Sequence, residues 1–433
     1  MTSVSSQYVI SRRIRETRQQ LGISQAQLAR PELSDSYISL IESGSRVPTP
    51  AVLEIIATKL GCSVDYLLHG ISSEDSARLK SGLDTAQELL KTGAREEARR
   101  KFAELLADPD IAHVPELQHE GEYGLALATE ACGDLDEAIR ILVGLRERHL
   151  DSLSDDQRIG SALALCRCYR DSGETDLAIE VAEREISAML GKGWTDHLIE
   201  LGATLLSTYY VRGDLLRAEQ YATDLLAAAE ALGTSRAIVA ANWNAAILAE
   251  LTGRYEEALT RIERAWSIQS VSGEPRNRAR LHVEYTSMRL RIRPEEAAAC
   301  RDELLETEVE LRNSAASTLD LAYCQYLLGW AEVELGNADK AVEYALEAIR
   351  LVGESNTEIL AQAQVLLGRA YQMLGRVDEA AGAIDVATKV LTKEPATRTT
   401  AEIWLMAAAV LQNVGDQEGS RLAYQRAMEC GGV

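Results

Sequence analysis

The sequence predicts an all-α protein in two parts, a small N-terminal domain of short helices followed by a long array of helical hairpins. Three observations carry that prediction. The 433 residues include 15 Tyr and 5 Trp but a single Phe, and Ala and Leu dominate, a composition that suits helices better than sheets. Over the first 70 residues, short amphipathic runs are closed by Gly or Pro and opened by Ser or Thr. Beyond them, one pattern of a glycine followed five residues later by an alanine returns about every forty residues.

The N-terminal elements follow from their punctuation. A first amphipathic helix is expected from about Tyr8 to Leu21, where Gly22 tolerates the positive φ that ends a helix. Ser24-Gln25-Ala26-Gln27 is a capping-box pattern, in which hydroxyl and amide satisfy orphan backbone N–H groups. A short second helix is therefore expected from Gln25 to Arg30, ended by Pro31. Ser34 can cap a third, Asp35 to Ser43, closed by Gly44. After Val47-Pro48-Thr49-Pro50 a fourth takes Ala51 to Leu60, and Ser63 opens a last turn through Tyr66, Leu67 and Leu68. Two short helices joined by a tight turn and buttressed on both sides form a helix-turn-helix arrangement, with Ile38 and Ile41 in its core by type and spacing.

Charge is distributed accordingly. Residues 1–70 hold seven Arg or Lys and six Asp or Glu, a net of +1, whereas the whole chain stands at -22. The remainder thus carries -23, and only the first segment can approach a polyanion without strong repulsion.

The N-terminal segment resembles the XRE family of lambda-repressor-like DNA-binding domains. The matching residues are Gly22-Ile23-Ser24-Gln25 and Leu28-Ala29, then Ser34, Ser36-Tyr37-Ile38-Ser39, Ile41-Glu42 and Gly44, and further on Pro48, Leu60-Gly61 and Asp65-Tyr66-Leu67-Leu68. Members usually carry a glycine in the turn; here Arg30-Pro31-Glu32-Leu33 has none and is one residue shorter. The resemblance implies that the first turns of the second motif helix enter the major groove, so that Asp35, Ser36, Ser39 and Leu40 face base edges. None of these is a bidentate Arg or Gln reader, which favours phosphate contacts and DNA shape over direct readout. Arg12, Arg13, Gln25, Tyr37 and Arg46, with Ser34 at the helix start, complete the expected DNA-binding set. Glu42 reads as a fold-supporting acceptor, Arg15 and Arg18 as solvated.

The expected domain boundaries are 1–70 for this domain, 71–82 for a polar linker and 83–433 for the repeats. The repeat loops read "GAREEA" at 93, "GDLDEA" at 133, "GETDLA" at 173, "GDLLRA" at 213, "GRYEEA" at 253, "GNADKA" at 336, "GRVDEA" at 375 and "GDQEGS" at 415. The wider gap before 336 contains a degenerate copy, "RPEEAA" at Arg293, which makes nine units. Glycine ends one helix and alanine lets the next approach closely. Small residues seven positions before the glycine support the hairpin: Ala86, Ala126, Ala246, Gly329, Gly368 and Ala408. These positions resemble the tetratricopeptide repeat (TPR), normally about 34 residues and here lengthened to forty. The resemblance implies a right-handed TPR-like α-solenoid of about nine hairpins, its concave wall built from the first helix of each.

On that wall the groove-facing positions hold Tyr123, Arg167, Arg170, Tyr210, Trp243, Tyr326, Trp330, Arg369 and Gln372, with Asn244 beside Trp243 and Arg280, Tyr323 and Gln362 at a further position. Arginines, aromatics and amides gathered on one face of so acidic an array suit a ligand site. Aromatics give contact area at low entropic cost, amides can bond both groups of a peptide backbone, and Arg pairs with carboxylates. The same aromatics could instead fill gaps between stacked repeats.

An XRE domain followed by TPR repeats resembles the RRNPP group of bacterial regulators, which bind secreted signalling peptides re-imported into the cell. What the resemblance implies is a cytoplasmic transcriptional regulator whose solenoid binds a peptide and thereby alters operator affinity. It would act as a homodimer on an inverted repeat of double-stranded DNA, since one motif reads one half-site. A protein partner or a small metabolite in the groove, or a TPR scaffold using its N-terminal domain for protein contacts, are the competing readings. No P-loop, H-E-x-x-H or G-x-S-x-G motif is present and the six His are dispersed, so neither an enzyme nor a metal site or cofactor is expected. The seven scattered Cys read as reduced thiols, and no apolar run suggests a signal peptide or a membrane span.

Overall fold

The computed structural model describes residues 3–149, 153–272, 275–313, 316–353, 356–394 and 396–431, and among them it contains helices and turns but no strand. None of the described helices is long and apolar enough to cross a membrane. The chain divides into two compact units, Met1–Ser154 and Asp155–Val433.

The first unit begins with α1 (Ser3–Gln20), α2 (Gln25–Ala29), α3 (Asp35–Glu42), α4 (Pro50–Leu60) and α5 (Val64–His69). Hydroxyl caps open the last four: Ser24, Ser34, Thr49 and Ser63 each accept a backbone N–H three residues on. Each such cap contributes about 1 kcal/mol. Ile14, Leu28, Ile38, Ile41, Ile56 and Leu67 form a closed core in which none has exposed surface. Ile38 and Ile41 therefore lie where their spacing predicts. The Arg30–Pro31 peptide bond in the motif turn is cis.

Residues 71–82, expected as a linker, are instead the start of the repeat array. Ser72 caps α6 (Ser73–Lys91), whose buried Ser76, Leu79, Leu83 and Ala86 recur every three or four residues along one face. Ser73, Glu74, Lys80 and Ser81, which help give the segment its linker-like composition, are exposed. Ile71, immediately before the cap, is buried with Leu79, Leu83 and Phe102 in the core of the first hairpin. The unit continues with α7 (Arg95–Leu106), α8 (Pro115–Ala131) and α9 (Leu135–His149). The single Phe, Phe102, packs so closely on Gly124 that a Cβ there would lie 2.3 Å from its ring.

The second unit consists of seven further hairpins: α10 (Asp155–Asp171) with α11 (Thr175–Met189), α12 (Asp196–Arg212) with α13 (Leu215–Leu232), α14 (Ser235–Leu251) with α15 (Tyr255–Ser272), α16 (Pro275–Ile292) with α17 (Ala297–Asn313), α18 (Thr318–Glu334) with α19 (Ala338–Val352), α20 (Thr357–Met373) with α21 (Val377–Leu391), and α22 (Arg398–Asn413) with α23 (Gln417–Gly431). All nine expected turns are found. The eight loop glycines have φ between 71° and 89°, the left-handed region in which a side chain is strained. The alanine five residues on is fully buried in seven hairpins, Ala98, Ala138, Ala178, Ala218, Ala258, Ala341 and Ala380, and Ser420 stands there in the last. We expect Ala258→Leu to overpack the α14–α15 contact and cost about 1–3 kcal/mol. Leu216→Ala, at a side chain 70% exposed, should change stability by less than about 0.5 kcal/mol. Urea unfolding of the two variants checks the contrast.

The degenerate sixth turn is held differently. Arg293 takes φ -129° and a short 3-10 turn, Pro294–Glu296, leads into α17. Arg289 clamps this turn by bonding Glu296 Oε2 (2.8 Å) and Glu303 Oε2 (2.7 Å). The His282 ring and the Arg289 guanidinium hold the Glu303 carboxyl down at about 2, against the opposing effect of burial. An ion-pair clamp thus stands where the other turns use glycine.

Candidate DNA interface and ligand groove

Helix α3 has two faces of different character. Ile38 and Ile41 anchor one in the core, while Asp35, Ser36, Ser39 and Leu40 lie exposed on the other. Ser34, at the helix start, accepts the Tyr37 N–H at 3.2 Å. The exposed Arg46 guanidinium sits over the half-buried Tyr37 ring at 5.0 Å, a cation–π contact that orients both at the edge of this surface. Arg12 is exposed and loosely paired with Glu16 at 3.3 Å.

Two expected phosphate contacts are instead used inside the domain. Arg13 donates to the carbonyl oxygens of Leu68 (2.5 Å) and His69 (3.1 Å), capping the C-terminus of α5. Burial lowers its pKa from the usual arginine value. Gln25 donates Nε2 to Glu42 Oε2 at 2.8 Å. Glu42, only 3% exposed, also takes a two-point ion pair from Arg18, with Nε to Oε1 at 2.5 Å and Nη2 to Oε2 at 2.8 Å. Arg18 is therefore not solvated as expected; Arg15 is exposed. Burial pushes the Glu42 carboxyl up, but the bonds from Arg18 and Gln25 outweigh it and the net shift is downward. One carboxylate thus ties α1, α2 and α3 together. Lys59, which sequence reasoning passed over, donates Nζ to the carbonyls of Leu28, Ala29 and Arg30 at 3.1, 3.1 and 2.7 Å, holding the end of α2. Arg13, Arg18 and Lys59 find their main acceptors 24 to 56 positions away, so no local motif announces them.

In the second unit, the first helices of successive hairpins present a continuous polar and aromatic ladder. Arg170 donates to Asp171 (2.8 Å) and to Ser207 Oγ (2.9 Å), crossing from α10 to α12. Tyr210 on α12 donates to Asn244 Oδ1 on α14 at 3.3 Å. Arg291 on α16 meets Glu250 of α14 through two bonds of 2.7 and 3.0 Å, while Ser287 and Tyr323 join α16 to α18 at 3.0 Å. The Tyr323 and Tyr326 rings stack at 6.0 Å, Trp330 lies 6.3 Å beyond, and the Arg369 guanidinium covers Trp330 at 5.3 Å. Burial pushes the Tyr210 and Tyr323 phenols up to about 12.

The ladder borders two cavities. One, of about 190 Å³, is lined by Trp243, Arg280, Glu284, Asp320 and Tyr323 among others. The second, of about 570 Å³, is lined by Trp330, Arg369 and Gln372 with Met373, Leu405 and Asn413. Trp243, Trp330, Arg369 and Gln372 are thus found on cavity walls. Tyr326 is not: it is 7% exposed and packs into the core beneath the ladder, a correction to its expected place on the groove surface. Arg167 is half-buried on α10; Tyr123, half-buried on α8, belongs to the first unit. The carboxylates Glu250, Glu284 and Asp320 were missed, although Glu250 stands three residues before its loop glycine, a groove-facing position. In so acidic a chain, carboxylates at groove-facing positions do not stand out.

The helix-turn-helix family model matches residues 14–67, so the N-terminal domain is an XRE-type helix-turn-helix. No curated protein matches the chain. Among solved structures, a Rap protein complexed with competence and sporulation factor is 13% identical, covering 82% of this chain and 98% of its own, with a TM-score of 0.55. The apo form of the quorum sensor NprR from Bacillus thuringiensis is 14% identical over 82% of this chain and 99% of its own, TM-score 0.51. The apo form of RapI is 14% identical over 82% and 97%, TM-score 0.51. At these identities the likeness establishes a shared fold of TPR-like helical hairpins.

Proposed function

We propose that this chain is a sequence-specific DNA-binding regulator, acting as a homodimer on an inverted repeat, whose hairpin array binds a signalling peptide that changes operator affinity. The observation that supports it most is the division of labour in the N-terminal domain. Arg13, Arg18, Gln25 and Lys59 satisfy internal acceptors, whereas Asp35, Ser36, Ser39, Leu40, Arg46 and Arg12 are left on the surface. A surface exposed beside a helix locked by the Arg18–Glu42 ion pair and the Gln25 hydrogen bond suits reading a rigid groove. In the second unit, two cavities with aromatic and guanidinium walls, one adding amides and the other carboxylates, suit an extended peptide, and Rap with its factor and the quorum sensor NprR support that assignment by fold. Ligand binding needs only to favour one geometry over another to shift the DNA-binding population.

The test is selection of genomic fragments, including the protein's own promoter, by the full chain at two salt concentrations, with and without a pool of short peptides. Selective enrichment that changes on peptide addition supports the regulator. Absence of selective DNA binding in all conditions would overturn it in favour of a protein scaffold. The salt dependence is itself predicted. Arg12, Arg15, Arg30 and Arg46 are the exposed guanidinium groups of the domain, eight in a dimer, so the slope of log K against log[salt] should be no steeper than roughly -7. Trp243→Ala and Arg369→Ala should weaken the response to peptide while leaving DNA affinity unchanged, as read by the same selection; equal loss of both would argue against a separate sensing groove.

A further inference from the structure

We propose that the Trp243–Glu284 cavity is the subsite for a cationic group of the ligand, either the amino terminus of a peptide or a Lys or Arg side chain. The proposal rests on the peptide-binding reading and specifies its chemistry. Three carboxylates and two guanidiniums meet here, from three helices. Arg291 is engaged with Glu250 through two bonds and approaches Glu284 only to 3.6 Å. Arg280 pairs with Asp320 at 3.1 Å, and Asp320 also accepts the Ser317 N–H as part of the α18 capping box. Glu250 and Asp320 are thereby matched, and Glu284 is left with the surplus negative charge.

Glu284 is 23% exposed and lines the cavity together with the Trp243 ring. Burial raises its pKa, and the nearby Glu250 adds to that rise while Arg291 and Arg280 oppose it. A carboxylate left in this state gains most from an incoming cation, which restores the missing charge partner and adds a hydrogen bond to the ionised form. The indole face supplies a second attraction that is specific for cations. An anionic ligand group would find the reverse: Arg280 is already neutralised by Asp320, and Glu284 would repel it. The volume of about 190 Å³ admits one side chain or one chain terminus, with the rest of an extended peptide left to run along the ladder.

The experiment uses the full-length protein and three pools of short random peptides, with retained peptides identified by mass spectrometry. The first pool has free amino termini and lacks Lys and Arg; the second is N-acetylated and contains them; the third is N-acetylated and lacks them. Retention from the first pool above the third assigns the cation to the terminus, and retention from the second above the third assigns it to a side chain. Glu284→Gln should reduce the retained cationic peptides about ten- to a hundredfold, Glu284→Asp should keep the preference, and Glu284→Lys should turn it toward acidic peptides. Loss in both Glu284→Gln and Glu284→Asp, or equal retention from all three pools, overturns the cationic subsite while the peptide reading stands. No retention from any pool overturns both.

Discussion

The Ser36→Glu variant should bind operator DNA at least about a hundredfold more weakly than the wild type, with no loss of stability. The affinity estimate follows from placing a like charge against a polyanion, which costs several kcal/mol at about 1.4 kcal/mol per tenfold. Ser36 lies in the first turn of α3 on the face opposite Ile38 and Ile41, fully outside the core. A carboxylate there adds to Asp35 at the helix start, where negative charge favours the helix dipole and stabilises the fold slightly. Binding and stability are therefore driven in opposite directions. Fluorescence anisotropy with a selected fragment, beside thermal unfolding of the same protein, reads both. Unchanged affinity in Ser36→Glu would remove α3 from the DNA interface.

Glu42→Ala should be the most damaging substitution in the N-terminal domain, costing about 3–5 kcal/mol. Removing the carboxylate leaves the Arg18 guanidinium, 12% exposed, without its ion-pair partner, and frees the Gln25 amide as well. Since these bonds join α1, α2 and α3, α3 loses its fixed angle, and under the proposed function DNA affinity should fall with stability. Hydrogen exchange at the amides of Leu28, Ile38 and Ile41 measures the loss locally, where a global melt of the long hairpin array would obscure it. The interaction also carries a pH signature. The folded-state pKa of Glu42 is depressed, so its contribution is complete above the unfolded carboxyl pKa of about 4.3 and is lost as pH falls through the lower folded value. Protection of these amides should accordingly decline on acidification below about pH 4 in the wild type and show less of that decline in Glu42→Ala. An identical acid response in both would place the pH sensitivity elsewhere.

The expected helices and all nine hairpins were legible because their signals are local. A hydroxyl three residues before the N–H it caps, or a glycine five residues before a close-packed alanine, depends on neighbours within one or two turns. The degenerate hairpin at Arg293 was legible for the same reason, through Pro294 and the following acids. The exposed face of α3 could be read as well, since fixing Ile38 and Ile41 inward leaves Ser36, Ser39 and Leu40 outward by helical geometry alone.

What misled were segments and side chains judged by composition. Residues 71–82 look like a linker because most of them are polar, yet Ile71 and Leu79 are buried in the first hairpin's core. Arg13 and Gln25 read as phosphate contacts, and Arg18 as solvated, although their partners lie inside the domain.

Sequence by itself determined the helix order, the capped starts, the glycine turns and the exposed face of α3, because each depends on spacing along the chain. Tertiary structure alone decided how charges are shared: that Arg13 closes α5, that Glu42 binds three helices together, and that Glu284 is left over once Arg291 has met Glu250 and Arg280 has met Asp320. Charge pairing acts through space over a few ångströms. Residues tens of positions apart compete for the same partner, and the fold determines which of them meet.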